Sequence, residues 1–221
     1  MIPLLLIVIT LEAYVLGSLN STIIISRYVY HRDVRSRGSR KANYANFGRL
    51  FGKKQIAVPV IVDIGKSVVA ILLGAILMLP CGGFTVIGKL YAGFILIIGD
   101  MFPIQTQLRG SGRGYIPFLV TLWLADWRMG LTATVIFVLV LAFTQYLSLS
   151  FMAACASGVL AAWIFVDSTQ LKGLSGVIVL FMLILLLWRN RGTIFKLIAH
   201  KEKKVRWGRK TENVLRADRN F

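Results

Sequence analysis

The chain has 221 residues, of which 57% are hydrophobic, and its mean hydropathy is +0.72. So apolar a composition argues against a soluble protein and indicates one integral membrane domain. The formal net charge of +17 fits a nucleic-acid partner, but no recognised nucleic-acid motif accompanies the charge, so no nucleic-acid partner is expected.

The basic residues are clustered in three places. Of the 26 Lys and Arg residues, nine lie in 27–54, two in a short loop at 109–113 and eleven from position 189 onward. Positive segments beside membrane spans stay on the cytoplasmic side and attract anionic lipid. We therefore expect the three segments to share the cytoplasmic face, with membrane lipid as a partner.

Residues 2–26 are apolar for long enough to cross a bilayer, which takes about 20 residues. No basic region precedes them and no small-residue cleavage site clearly follows, so a retained helix is predicted. Glu12 lies inside this span. A carboxyl group at that depth faces a bundle interior, either as a functional group or as a neutral structural one.

The stretch 27–54 carries nine basic residues against one acid, Asp33. It contains glycine, serine and asparagine and offers little apolar surface to bury. Arg and Lys side chains, together with backbone N–H groups, are suited to binding anions. The stretch therefore predicts a phosphate-handling surface at a membrane face.

Five further apolar segments follow, at 56–79, 84–104, 115–125, 131–166 and 173–188. The third of these is too short to cross alone, and the fourth is long enough for two spans. We expect a break at 126–130 and a turn at 148–150.

The prediction is an all-α integral membrane fold with seven membrane segments, including a short fourth segment. The amino terminus is expected outside and the carboxyl terminus in the cytoplasm. Residues 1–188 would form the membrane domain, with cytoplasmic loops at 27–55 and 105–114. Residues 189–221 would form a basic cytoplasmic tail.

Two groups of residues suit phosphate chemistry. Asp63 and Lys66 are three positions apart on one helical face and can pair, either as a structural ion pair or with Lys66 adding charge to a phosphate site. The glycines of RGSGRG at 109–114 would free backbone N–H groups to cradle an anion, although such loops also serve as polar connectors. The only histidines are His31 and His200, and neither a Ser-His-Asp constellation nor a metal-ligand cluster can be assembled. No metal and no cofactor is expected.

Several stretches together resemble a known family. These are YVLGSLNSTIIISR, DVRSRGS, GKK, DIGK, AGFILIIGDMFPI, RGSGRG, TQYLSLS and RNRGTIFKLIAHKE, which begin at positions 14, 33, 52, 63, 92, 109, 144 and 189. In order and spacing they are similar to the motifs of the bacterial membrane acyl-phosphate:glycerol-3-phosphate acyltransferases. The resemblance covers nearly the whole chain.

The resemblance implies a bacterial plasma-membrane enzyme whose site opens to the cytoplasm. It would transfer an acyl group from acyl phosphate to the 1-hydroxyl of glycerol 3-phosphate, giving lysophosphatidic acid for phospholipid synthesis. The expected catalytic residues are Ser39, Asn46, Arg49 and Asp100. The expected substrate-binding residues are Ser18, near the acyl entry, and a largely basic set: Arg35, Lys41, Lys66, Arg109, Gly110, Gly112 and Arg113.

The chain departs from the family pattern at motif positions. In GSRKANYAN at 38–46, Arg40, Lys41, Asn43 and Ala45 replace Gly, Asn, Gly and Thr. Asp100 stands where the family has His. An acid there would accept a proton, but it would repel phosphate oxygens unless it were paired with Arg109 or Arg113.

These departures leave two other functions open. One is a catalytically altered or inactive paralogue that binds anionic lipid or another phosphorylated acceptor. The other is a small transporter, indicated by Glu12 and the short fourth segment, although no internal inverted repeat is apparent.

Overall fold

The computed structural model describes residues 1–106, 112–166 and 169–199. The described residues form α-helices joined by turns, with no strand among them. The helices are α1 Ile2–Ser18, α2 Ser21–Tyr28, α3 Tyr44–Phe51, α4 Ala57–Met78, α5 Thr85–Met101, α6 Tyr115–Ala125, α7 Trp127–Thr144, α8 Leu147–Phe165 and α9 Thr169–Ile198. Short 3₁₀ turns lie at Lys54–Ile56, Leu79–Cys81 and Ile104–Thr106. The predicted all-α architecture is confirmed.

Within the described part of the chain, four helices are long and apolar enough to cross a membrane. They are α4, α7, α8 and the part of α9 at Gly173–Phe195. The bent pair α1 and α2 would make a fifth span. Helix α5 lies at the centre of the bundle, in contact with α1, α4, α6 and α9.

The expectation of one uninterrupted helix over 2–26 is wrong. The helix breaks at Leu19 and Asn20, and α2 leaves α1 at an angle of 50°. Asn20 causes the break because its side chain accepts the Ile23 N–H and caps a new helix. The last carbonyls of α1 are thereby left for another partner.

Glycines bring the central helices into close contact. A Cβ on Gly17 would lie 2.4 Å from the Leu96 carbonyl oxygen, and one on Gly99 would lie 2.6 Å from that of Tyr14. A similar contact joins α4 to α5 at Gly74 and Gly88. Small residues allow membrane helices to approach this closely, so α1 and α4 are both held against α5.

Two predicted helix boundaries are also wrong. The break expected at 126–130 shrinks to Asp126 alone, because its carboxylate caps α7 by accepting the Arg128 N–H at 2.8 Å. The turn expected at 148–150 lies instead at Gln145 and Tyr146, and Ser148 is already in α8. Gln145 takes a left-handed conformation that ends α7.

The basic stretch has a core of its own, contrary to the expectation that it offers little apolar surface. Phe47 of α3 is fully buried, and its ring packs against Tyr30 and Phe51 at centroid distances of 5.7 and 4.8 Å. Ile23 and Val34 complete the cluster. Helix α3 therefore anchors the loop before it on α2.

Candidate functional site

A buried ion pair lies at the end of the bundle that carries the basic stretch. The Lys66 ammonium is 2.7 Å from Asp63 Oδ1, which confirms the predicted pairing. Asp63 Oδ2 accepts hydrogen bonds from Ser21 Oγ, at 2.6 Å, and from the Tyr44 hydroxyl. Both side chains of the pair are less than a tenth exposed. Removing one partner of such a pair is costly, because the other charge stays buried without compensation.

Lys66 is also held by the break in the first span. Its ammonium donates to the Leu19 carbonyl oxygen at 2.6 Å and lies 3.4 Å from that of Gly17. These carbonyls belong to the end of α1, where a helix carries partial negative charge. The break between α1 and α2 therefore fixes the position of Lys66.

Tyr44 links the basic stretch to this buried pair. It is the first residue of α3, and Asn43 caps that helix by accepting the Asn46 N–H at 2.9 Å. Burial and then the Asp63 carboxylate raise the pKa of Tyr44, so its hydroxyl stays protonated and donates. The basic stretch is thus fastened to α4.

Asp100 lies near the end of α5, on the other side of Lys66. Its Oδ1 is 4.0 Å from the Lys66 ammonium, and its Oδ2 accepts the Gly114 N–H at 3.0 Å. The carboxylate was expected to need Arg109 or Arg113 as a partner. Among the described residues its ion-pair partner is Lys66 and not Arg113, and Arg109 lies outside them.

Asn46 acts on the loop that precedes it. Its side chain is fully buried, and its amide group donates to the carbonyls of Val34 and Arg37 at 2.7 and 3.2 Å. Its Oδ1 accepts the Ser39 N–H at 2.9 Å. One side chain therefore holds the loop at three points and sets the place of Ser39, whose side chain is exposed.

Arg35 is engaged by the single acid of the stretch. Asp33 accepts hydrogen bonds from the guanidinium groups of Arg35 and Arg27, at 2.9 and 2.8 Å for the ion-pair contacts. The bond from Arg35 holds the pKa of Asp33 well below its usual range. The carboxylate therefore stays charged at neutral pH and orients both arginines.

The remaining predicted residues fall into three groups. Lys41, Arg49 and Arg113 are exposed at the surface. Ser18 is buried, and its hydroxyl donates to the Val15 carbonyl within its own helix. Gly112 packs against Asp100, whereas Gly110 lies outside the described residues with Arg109.

Two residues of α9 complete the site and were not predicted. Arg189 Nε donates to the Gly112 carbonyl at 3.3 Å, and its guanidinium lies 5.8 Å from the ring centre of Phe102. Asn190 is buried and donates to the Leu186 carbonyl at 2.8 Å and the Arg113 carbonyl at 3.4 Å. The sequence signals for them were the basic cluster that begins at Arg189 and their place in the closing block of the resemblance. They hold residues 112–113, in the described part of the glycine loop at 109–114, against the bundle.

Predicted residues from distant parts of the chain thus meet at one end of the bundle. Lys66, Asp100 and Gly112 form its buried floor, and the basic loop held by Asn46 is tied to that floor through Tyr44. Among the described residues no group of three His, Cys, Asp or Glu could hold a metal ion. What the site offers an anion is ammonium, guanidinium and backbone N–H groups.

The comparisons with known proteins agree on one family. The family described as glycerol-3-phosphate acyltransferase matches residues 7–200. The glycerol-3-phosphate acyltransferase of Thermoanaerobacter sp. (strain X514) is 32% identical over 200 residues, covering 90% of this chain and 94% of the relative. That of Methylococcus capsulatus is 30% identical over 193 residues, covering 87% and 92%.

Solved structures show the same fold. The glycerol 3-phosphate form of PlsY (YgiH), an integral membrane glycerol 3-phosphate acyltransferase, superposes with a TM-score of 0.73 at 21% identity, covering 91% of this chain and 96% of that one. Its lysophosphatidic acid form gives 0.73 at 20% identity, covering 91% and 95%. This chain therefore has the fold of that integral membrane protein.

Proposed function

The chain belongs to the glycerol-3-phosphate acyltransferase family, and we propose that it transfers an acyl group from acyl phosphate to the 1-hydroxyl of glycerol 3-phosphate, giving lysophosphatidic acid. The observation that carries this proposal is the similarity to named acyltransferases over some nine-tenths of the chain. The relatives do not favour the non-catalytic alternative or a transporter. The reaction would take place at the plasma membrane, as the first acylation of phospholipid synthesis.

The proposed topology has seven membrane segments, with the amino terminus outside and the carboxyl terminus in the cytoplasm. Its support is the common location of the basic stretch, the glycine loop and the end of α9, together with the retention of positive segments in the cytoplasm. A reporter enzyme fused after Phe221 should be active only in the cytoplasm. Activity of that reporter outside the cell would refute the orientation.

The chemistry requires alignment and charge neutralisation more than bond activation, because an acyl phosphate is already activated. The 1-hydroxyl oxygen forms the new ester bond to the carbonyl carbon, the bond from that carbon to phosphate breaks, and inorganic phosphate leaves with the electron pair and accepts the hydroxyl proton. No acyl-enzyme intermediate is needed. The protein must hold two phosphate groups near each other.

We propose that basic residues of the basic stretch and of the glycine loop bind the phosphate groups. Arg49, Arg35 and Lys41 belong to the basic stretch, and Arg113 with Arg109 to the glycine loop. Ser39 would bond a phosphate or the attacking hydroxyl, and Asn46 would keep Ser39 in place. Lys66 would add positive charge from the buried side of the site. Ser18 would lie near the entry of the acyl chain. Arginine suits this role because its planar guanidinium matches phosphate oxygens two at a time.

The same basic face would also meet anionic lipid headgroups. Exposed arginines and lysines of the basic stretch lie beside the exposed Tyr28 and Val29 at the end of α2. Clusters of basic residues beside a membrane are attracted to anionic lipid. This attraction would hold the loop at the membrane surface, where acylated substrates reside.

The test is acyl transfer by the purified full-length chain, with labelled glycerol 3-phosphate and palmitoyl phosphate. Wild-type protein should form labelled lysophosphatidic acid. Arg49→Ala should abolish product formation, because it removes a cation from the phosphate surface. Arg32→Ala is the matched control, since Arg32 is an exposed arginine of the same stretch outside the motif positions. Wild-type turnover by Arg49→Ala would remove Arg49 from the mechanism, and an inactive wild type would refute the proposed function.

A further inference from the structure

Two cationic side chains and one backbone N–H lie around Gly112 and Gly114. They are the Lys66 ammonium, the Gly114 N–H and the guanidinium of Arg189, which is bound to the Gly112 carbonyl. An ammonium, an arginine and a backbone N–H are what a phosphate ester recruits. The place where they converge has the chemistry of an anion site.

That place is filled by a carboxylate of the protein itself. Asp100 Oδ2 accepts the Gly114 N–H at 3.0 Å, and Oδ1 lies 4.0 Å from Lys66. The Asp100 side chain is 14% exposed, so little of it reaches solvent. Oδ2 therefore takes the N–H that a phosphate would use, and Oδ1 faces the charge of Lys66 at ion-pair distance.

Gly112 packs directly over this carboxylate. A Cβ on Gly112 would lie 2.3 Å from the Asp100 carbonyl oxygen and 2.4 Å from Asp100 Oδ2. The backbone of Gly112 therefore contacts the carboxylate too closely for a side chain to fit between them. A phosphate could accept the Gly114 N–H and approach the charge of Lys66 from this side only by displacing the Asp100 side chain.

We propose that Asp100 is a specificity-determining residue that occupies an inner anion position with its own carboxylate and so weakens phosphate binding there. The proposal deepens the proposed function and rests on it for the identity of the substrate. Its physical basis is that a second anion beside Asp100 would be repelled and would compete for Lys66 and Gly114. Substrate phosphate must then be held by the exposed basic residues of the loop.

The test compares inorganic phosphate binding by the full-length chain in detergent micelles, measured by calorimetry. Asp100→Asn keeps an oxygen acceptor for the Gly114 N–H but removes the charge. We expect the Kd for phosphate to fall by about tenfold or more, since a like charge so close to the anion is lost. Asp126→Asn is the matched control, because it removes a carboxylate that caps α7 and pairs with Arg128. The control should leave the phosphate Kd unchanged.

Asp100→His provides a second neutral variant in case Asp100→Asn does not fold, and it restores the residue type of the resembled family. Unchanged or weaker phosphate binding in the folded variants would overturn the proposal, and so would the absence of measurable binding in every protein. Acyl transfer is assayed separately from phosphate binding. If the chain were inactive but its Asp100 variants bound phosphate more tightly, the proposed function would be refuted and the role of Asp100 would stand. In an active enzyme the KM for glycerol 3-phosphate should fall, a change that loss of structural support alone would not produce.

Discussion

The three hydrogen bonds of the Asn46 side chain allow the stability of the basic loop to be tested directly. Asn46→Ala removes the donors to Val34 and Arg37 and the acceptor for the Ser39 N–H. At about 1 kcal/mol for each bond, the loop should lose about 3 kcal/mol of local stability. Since 1.4 kcal/mol corresponds to a factor of ten, the open form of the loop should become about 100-fold more populated.

The assay is site-resolved trypsin cleavage of the full-length chain in detergent micelles. Arg35, Arg37, Arg40 and Lys41 all lie in the loop that Asn46 holds, and the substitution neither adds nor removes a cleavage site. Cleavage follows the population of the open form when opening and closing are fast relative to cutting. The cleavage rate at these residues should therefore rise by about 100-fold at low protease concentration.

Asn43→Ala is the matched control because it is the same substitution at the neighbouring helix cap. It removes a single capping bond to the Asn46 N–H, which costs about 1 kcal/mol and should raise cleavage only about fivefold. If Asn46→Ala were cut no faster than Asn43→Ala, Asn46 would not be the residue that holds the loop. That result would also contradict the role of Asn46 in positioning Ser39.

Two further predictions concern the polar contacts on either side of this loop. Tyr44→Phe should lower the thermal unfolding temperature, because it removes a hydrogen bond to a buried carboxylate that is worth about 2 kcal/mol. Tyr30→Phe loses only an exposed bond to Gln55 and should change that temperature little. Equal effects would contradict the proposed link between α3 and α4. Because the pKa of Asp33 is lower in the folded than in the unfolded protein, its ionised carboxylate stabilises the fold above the unfolded pKa of about 4. This stabilisation is lost as the pH falls from there towards the folded pKa. Asp33→Asn should therefore unfold at a lower temperature than wild type at pH 7, with a difference that narrows below about pH 4, and a difference independent of pH would rule out this linkage.

The helices and one ion pair were predictable because their signals are local. Long apolar runs identify α4, α7 and α8, and the spacing of Asp63 and Lys66 fixes their pairing on a single helix. The resemblance placed Asp100 and the glycine loop in one motif, and Gly112 and Gly114 do contact Asp100. These predictions needed only residues close in sequence or a motif order.

The rest depended on contacts between distant residues. The Tyr44 hydroxyl meets Asp63 across 19 positions, and Arg189 meets Gly112 across 77, so no periodicity could connect them. The break at Asn20 was missed because hydropathy averages over the one polar residue that caps α2. The aromatic core around Phe47 was missed because the charge of the stretch obscured a short amphipathic helix.

Where the basic stretch departs from the motif pattern of the resembled family, the substitutions add charge, and the backbone conformations and caps still suit the loop. Arg40 has a φ of 54°, a left-handed conformation that suits the glycine of the resembled family and costs another residue about 1 kcal/mol. Asn43 replaces a second glycine and caps α3, while Asn46 keeps its three bonds to the loop. These contacts fix the frame of the loop, with Arg40 and Lys41 adding positive charge at its exposed rim. Since Asp100 adds negative charge at the buried floor, the two changes act in the same direction and favour a phosphate bound further out, on the loop.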